Sequence, residues 1–253
     1  MLDMIKGVFV DNGLIVSFLV IGITMWFAYL ISNKLTKGMI HGSAIAIVLG
    51  LVLAYIGGVA TNGSKGLSDV CFLAGVGFLG GSMLRDFAIV ATSFGANFDE
   101  IKKAGLRGII SLFIGVLLSF IVGVIFAFMF GYTNPIDMTT IGAGTVTYIV
   151  GPVTGAALGA SSEVIAISIA AGLVKSVLVM IGTPFVAKYI GLNNPVTAMV
   201  YGGLMGTTSG VTGGLAATDP KLVPYGAVTA TFYTGLGCLL APTILFLITD
   251  MVF

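Results

Sequence analysis

Residues 153–155 read Val-Thr-Gly, and residues 211–213 read Val-Thr-Gly again. The flanks match at the same offset, Gly144 answering to Gly202 and Pro184 to Pro242. Each copy lies in an uncharged stretch rich in Gly, Thr and Ser. The rest of the chain decides how to read them. Of 253 residues, 57% are hydrophobic and 8% charged, with mean hydropathy +1.13. A soluble domain carries about a quarter charged residues. No Asp, Glu, Lys or Arg interrupts 12–33, 38–64, 108–136, 138–162, 189–218 or 222–249. Each run is long enough for the ~20 residues of a spanning helix. The expected fold is an all-α, polytopic integral membrane protein with about six to eight transmembrane helices. The run 13–32 is read as a retained first helix, too long for a signal-peptide core.

Against that background the two Val-Thr-Gly stretches become breaks. Gly151-Pro152 interrupts 140–162, because Pro disrupts a helix interior and disfavours helix just before it. Thr207-Thr208-Ser209-Gly210 interrupts 196–218. Irregular backbone at membrane depth survives only when buried in protein or lining a polar cavity. Paired breaks in corresponding positions point to a carrier's binding site. Each segment is either a kinked span or a re-entrant hairpin. Two hairpins would give the units opposite orientations, an inverted repeat, and would place Lys188 inside. We expect a duplicated broken-helix transport core in 132–253, its units at 142–187 and 200–245. Residues 1–131 are then scaffold or partner-contacting helices. In that half we read helices over about 13–32, 43–60 and 108–131, and a third, 68–92, interrupted by Gly75, Gly77, Gly80, Gly81 and Ser82 before Arg85-Asp86. Basic residues near 33–42 and 96–107 place those loops in the cytoplasm, with Lys65 dissenting.

The breaks carry hydroxyls and glycines rather than charge. Candidate substrate-binding residues are Gly144, Thr145, Thr147, Thr154 and Gly155 in the first, and Thr207, Thr208, Ser209, Thr212 and Gly213 in the second. Half-helix N-termini offer unpaired N–H groups and favour anions. Unwound carbonyls and half-helix C-termini hold cations such as Na+. Ser161, Asn194 and Thr212 are the candidate Na+ ligands. Lys175 is the possible charge partner, since an ionisable group at membrane depth is a functional candidate by default. Close helix packing by small residues would explain the same glycines, and snorkelling would explain Lys175. Arg85-Asp86 reads as a surface pair or a buried one, and His41 as a loop residue.

Several classes fall away. A net charge of +1 gives no electrostatic case for nucleic acid. Cys71 and Cys238 sit in apolar segments, without metal spacing or a disulfide framework. No phosphate-binding loop occurs, so energy must come from an ion gradient or a partner. No enzyme constellation and no cofactor are expected.

The runs GANFDEIKKAGLRGIISLFIGVLLSFIVG (95–123), GAGTVTYIVGPVTGAALGASSEVIAISIAAGLVKSVLVMIGTPF (142–185) and GTTSGVTGGLAATDPKLVPYGAVTATFYTGLG (206–237) closely resemble the MadM family. That family is the larger integral-membrane subunit of a two-component bacterial malonate carrier. The resemblance implies sodium-coupled malonate uptake in the bacterial inner membrane, together with a smaller membrane subunit, MadL. It implies a hetero-oligomer, for which a dimer of heterodimers is one arrangement. More distantly, 142–245 is similar to the LrgB/CidB group through Thr145-Val146-Thr147, Pro184, Gly210–Ala217 and Ala241-Pro242. Ser209 stands near the place of that group's His. A small-organic-acid exporter or holin-like component is therefore the alternative. So is a structural subunit whose site lies in the partner.

A malonate dianion buried in low dielectric is strongly disfavoured unless compensated. Fixed positive charge is scarce here, so a cation beside the substrate would supply it. This is the physical reason to expect symport, with Na+ and malonate binding cooperatively. Movement of the transport half is expected to be elevator-like by analogy of fold.

Overall fold

The computed structural model describes residues 2–37, 42–63, 66–79 and 98–253. Among these, helices account for the regular structure and no strand occurs. The expected interruption at Gly80-Gly81-Ser82, the Arg85-Asp86 pair, His41 and Lys65 lie outside the described residues. Five helices among the described residues are long and apolar enough to cross a membrane. The chain divides into two compact units, Met1–Val90 and Ala91–Phe253.

The first unit holds α1 (Leu2–Asp11), α2 (Gly13–Leu35), α3 (Gly42–Thr61) and the short α4 (Val76–Leu79). Helix α2 packs along α3. Close approach is bought by glycine: Gly75 lies on the backbone of Gly13 and Leu14. Among the described residues of this unit, many large apolar side chains are nevertheless uncovered, as at Phe18, Ile23, Trp26 and Tyr55. Such faces suit lipid or another subunit's helices rather than water.

The second unit contains α5 (Phe98–Met129), α6 (Pro135–Val146), α7 (Val150–Leu158), α8 (Ser162–Val186), α9 (Pro195–Met205), α10 (Thr208–Thr218), α11 (Val223–Leu240) and α12 (Phe246–Val252). Gly105, at φ 40°, kinks α5 between its charged start and its apolar span. A π-turn over Ala241–Leu245 joins α11 to α12 and contains Pro242, whose missing N–H favours the slack geometry. Helices α6 and α9 open alike, with Asn134 and Asn194 as N-caps and Pro at the first helical position.

Contacts between helices give their directions. Gly151 sits beside Gly144, and Gly155 beside Thr140, so α6 and α7 run antiparallel as a hairpin. Gly151 also meets Ser168 and Gly155 meets Ile165, so α7 is antiparallel to α8. The equivalent arm of the second unit behaves oppositely. Thr207 bonds Ser176, Gly213 meets Met180 and Gly214 meets Thr183, so α10 runs the same way as α8. The two broken-helix units are therefore inverted relative to one another. An arm of 12 residues spans about 18 Å of a ~30 Å hydrocarbon layer, so the hairpin α6–α7 turns back near mid-depth. The open choice between kinked span and hairpin resolves to hairpins.

The same directions sort the helix ends. Lys102, Arg107, Lys188 and Lys221 lie at the end where α5 and α11 begin and α8 finishes. Asp137, Glu163 and Asp250 lie at the other, where Phe128 and Phe253 also meet, 5.4 Å between ring centroids.

Candidate functional site

The repeated packing starts from glycine. A Cβ on Gly144 would strike the backbone of Ser168, and one on Gly202 that of Gly226. These are the same contact in the two units, since Ser168 and Gly226 are separated by the same offset as the Val-Thr-Gly pair. Small residues thus seat each hairpin against the long helix of its own unit. Gly144 and Gly155 act in this way, with Gly155 against Ile165, whereas Gly213 seats the second hairpin against Met180 of α8, the long helix of the other repeat.

Both hairpin tips reach neighbouring residues in the middle of α8. The Lys175 Nζ donates to the Val146 carbonyl at the tip of the first hairpin, 3.0 Å away. The Ser176 hydroxyl bonds the Thr207 hydroxyl at the tip of the second. Lys175 also donates to Ser119 Oγ of α5 at 2.8 Å and to the Tyr233 hydroxyl of α11 at 3.1 Å. Its ammonium stands 5.0 Å from the Tyr233 ring centroid. Tyr233 is fully buried and its hydroxyl reaches Ser119 Oγ at 2.8 Å and the Gly115 carbonyl at 3.0 Å. Lys175 and Tyr233 are themselves equivalent under the repeat offset. Two equivalent residues in contact mark the local two-fold axis, so the axis passes between them. The surface-snorkelling reading of Lys175 does not hold, because its ammonium turns inward onto three helices.

The tips differ in their remaining donors. Thr147 caps the first: its hydroxyl oxygen accepts from the backbone N–H of Ile149 at 3.3 Å and of Val150 at 3.2 Å. Thr207 holds the N-cap position of α10 but makes no cap bond, being turned to Ser176. The first-turn N–H groups of α10, beside the half-buried Thr208 and Ser209, are left without a side-chain cap. An N-terminus in this state attracts anions.

The remaining candidates are placed as follows. Thr145 donates to the Ser119 carbonyl or to that of Gly142, each at 2.7 Å, tying α6 to α5. Thr212 donates within its own helix to the Thr208 carbonyl, 2.8 Å. Thr154 is fully buried and its hydroxyl has no partner, a state shared by Thr139. Ser161 caps α8, and Asn194 forms a capping box with Thr197 on α9. They stand at opposite ends of α8, whose 25 residues extend about 37 Å. Ser161, Asn194 and Thr212 therefore do not form one coordination sphere, and the first two are occupied as caps.

Ser119, Ser176 and Tyr233 belong to the cluster and were not singled out from the sequence. Tyr233 was accessible through the repeat offset from Lys175, and Ser176 through adjacency to it. Ser119 carried no such signal. A groove of about 650 Å³ along α8 and α9 is a separate feature, walled by Leu178, Val186, Val200 and Leu204 with Arg107 at its margin. Its apolar lining does not suit a dicarboxylate.

A family model described as the malonate/sodium symporter MadM subunit matches residues 5–253. The chain belongs to the MadM family. The family is one of transporter subunits, so MadM membership accords with the inverted hairpins and with the clustering of polar groups at their tips. No significant match was found among curated proteins or among solved structures.

Proposed function

We propose that this chain imports malonate in symport with Na+, as the larger subunit of a complex with a smaller MadL-like membrane protein in the bacterial inner membrane. The observation that carries the reading is the meeting of two inverted hairpin tips at adjacent residues, Lys175 and Ser176. One carboxylate of malonate binds at the uncapped start of α10, among Thr207, Thr208 and Ser209, and the Lys175 ammonium supplies the fixed positive charge. Among the described residues of this unit, Lys175 is the charged side chain placed far from the helix ends. Burying an anion there without compensation is costly, which is why a coupling cation belongs in the mechanism. The end carrying Lys102, Arg107, Lys188 and Lys221 faces the cytoplasm by the rule that basic loops stay inside.

In this reading residues 132–253, together with Ser119 of α5, carry the site, with elevator-like movement against a scaffold drawn from the helices that precede α5 and from the small subunit. The assembly is a hetero-oligomer, a dimer of heterodimers being the arrangement proposed. The test is uptake of radiolabelled malonate by proteoliposomes holding both subunits. An inward Na+ gradient should drive accumulation above the external concentration, and Lys175→Met should abolish it. Equilibration without accumulation would mark a pore and overturn the reading.

A further inference from the structure

Lys175 cannot serve malonate in the arrangement observed. An ammonium has three N–H donors, and all three are used, on Val146 O at 3.0 Å, Ser119 Oγ at 2.8 Å and Tyr233 OH at 3.1 Å. For a carboxylate to bind, at least one of these oxygens must be released. The released set has a definite chemistry: one carbonyl and two hydroxyls, all neutral, from three different helices. The carbonyl lies in the last turn of α6, where backbone oxygens lack a helical N–H and carry the negative end of the helix dipole. Half-helix C-termini of this kind hold alkali cations in carriers.

We propose that these three oxygens are the site of the coupling Na+, and that Na+ enters by displacing the Lys175 ammonium, which turns to the substrate carboxylate. This rests on the functional reading above and gives its coupling a physical cause. Without Na+, Lys175 stays on its oxygens, because leaving them would strand buried acceptors. The substrate site then lacks its positive charge. With Na+ in place the oxygens remain satisfied and the flexible four-carbon stem of Lys175 is free to move. Na+ is smaller than an ammonium, so the oxygens close in on it. Tyr233 and Ser119 thereby become ion ligands, Tyr233 backed by the Gly115 carbonyl. No separate ion site at Ser161 or Asn194 is required.

The experiment measures 22Na+ binding to the purified two-subunit complex in the absence of malonate. Lys175→Met removes the internal competitor. If Lys175 fills the site nine-tenths of the time, apparent Na+ affinity rises about tenfold. Adding Tyr233→Phe or Ser119→Ala to Lys175→Met should reverse the gain. Unchanged or weaker Na+ binding in Lys175→Met overturns the proposal, as does a second substitution without effect. Should Lys175→Met fail to fold, Tyr233→Phe alone decides. Its KM for Na+ in malonate uptake should rise several-fold, with malonate affinity unchanged at saturating Na+, and an unmoved KM for Na+ refutes the site. Malonate is absent from the binding measurement. A complex that does not carry malonate would therefore sink the functional reading and leave the ion site standing, whereas malonate uptake whose Na+ dependence is unmoved by Tyr233→Phe and by Ser119→Ala would do the reverse.

Discussion

The bond between Ser176 and Thr207 ties the second hairpin tip to the centre of α8, and both side chains are buried, at 0% and 1% exposure. Ser176→Ala leaves the Thr207 hydroxyl without its partner, and Thr207→Val does the converse while keeping the shape. A buried hydroxyl stranded in this way costs about 1–3 kcal/mol. The double variant strands nothing, so it should be destabilised no more than either single. Inter-helix hydrogen bonds in membrane proteins average about 0.6 kcal/mol in such cycles and reach about 1.7 kcal/mol. The upper part of that range applies here, because both hydroxyls are buried in the protein interior. We expect a coupling of about 1–1.7 kcal/mol; 1.4 kcal/mol is tenfold in the unfolding equilibrium. SDS titration of the purified complex, followed by circular dichroism, gives the four stabilities. Single effects that add to the double within about 0.3 kcal/mol would show that the tip is not held by this bond, and would remove one of the two contacts on which the site is built.

Gly144→Ala and Gly202→Ala each drive a methyl into the backbone of the neighbouring long helix and should cost about 1–3 kcal/mol by overpacking. Gly235→Ala, which has open space beside it, should cost less than either in the same thermal-shift assay. Thr154→Val removes a buried hydroxyl that has no partner, so stability should rise by up to about 1 kcal/mol; unaltered malonate uptake in that variant would take Thr154 out of the site. Cysteines at Lys188 and Lys221 should react with an impermeant maleimide only from the cytoplasmic face, and those at Asp137 and Glu163 only from the other. Labelling of all four from one side would contradict the inverted hairpins.

Composition and charge-free runs made the membrane class legible, because hydrocarbon admits little else than apolar helices. The breaks were legible through Pro152 and the Thr207–Gly210 run, each of which disturbs helical bonding locally. Inversion was the preferred reading of those breaks but needed inter-helix contacts such as Gly214 on Thr183 to establish it, since direction in a bilayer leaves no mark on a short motif. The site was half visible. Lys175 stood out as a charge among apolar residues, but its partner Tyr233 is one of 8 tyrosines, ordinary in any apolar helix. The ion ligands expected from the sequence carry a second local role: Ser and Asn before Pro or an acidic first turn are helix caps, and Ser161 and Asn194 are used as such, at opposite ends of α8.

The position of Lys175 and Tyr233 on the local two-fold bears on the origin of the fold. In a symmetric homodimer of a single broken-helix unit, each side chain on the axis faces its own copy. Two lysines there would repel, and two tyrosines would offer no charge. Once the copies are fused in one chain, each can change alone. A cation can then stand against a phenol, a pairing closed to the homodimer, and a symmetric frame acquires a centre with direction.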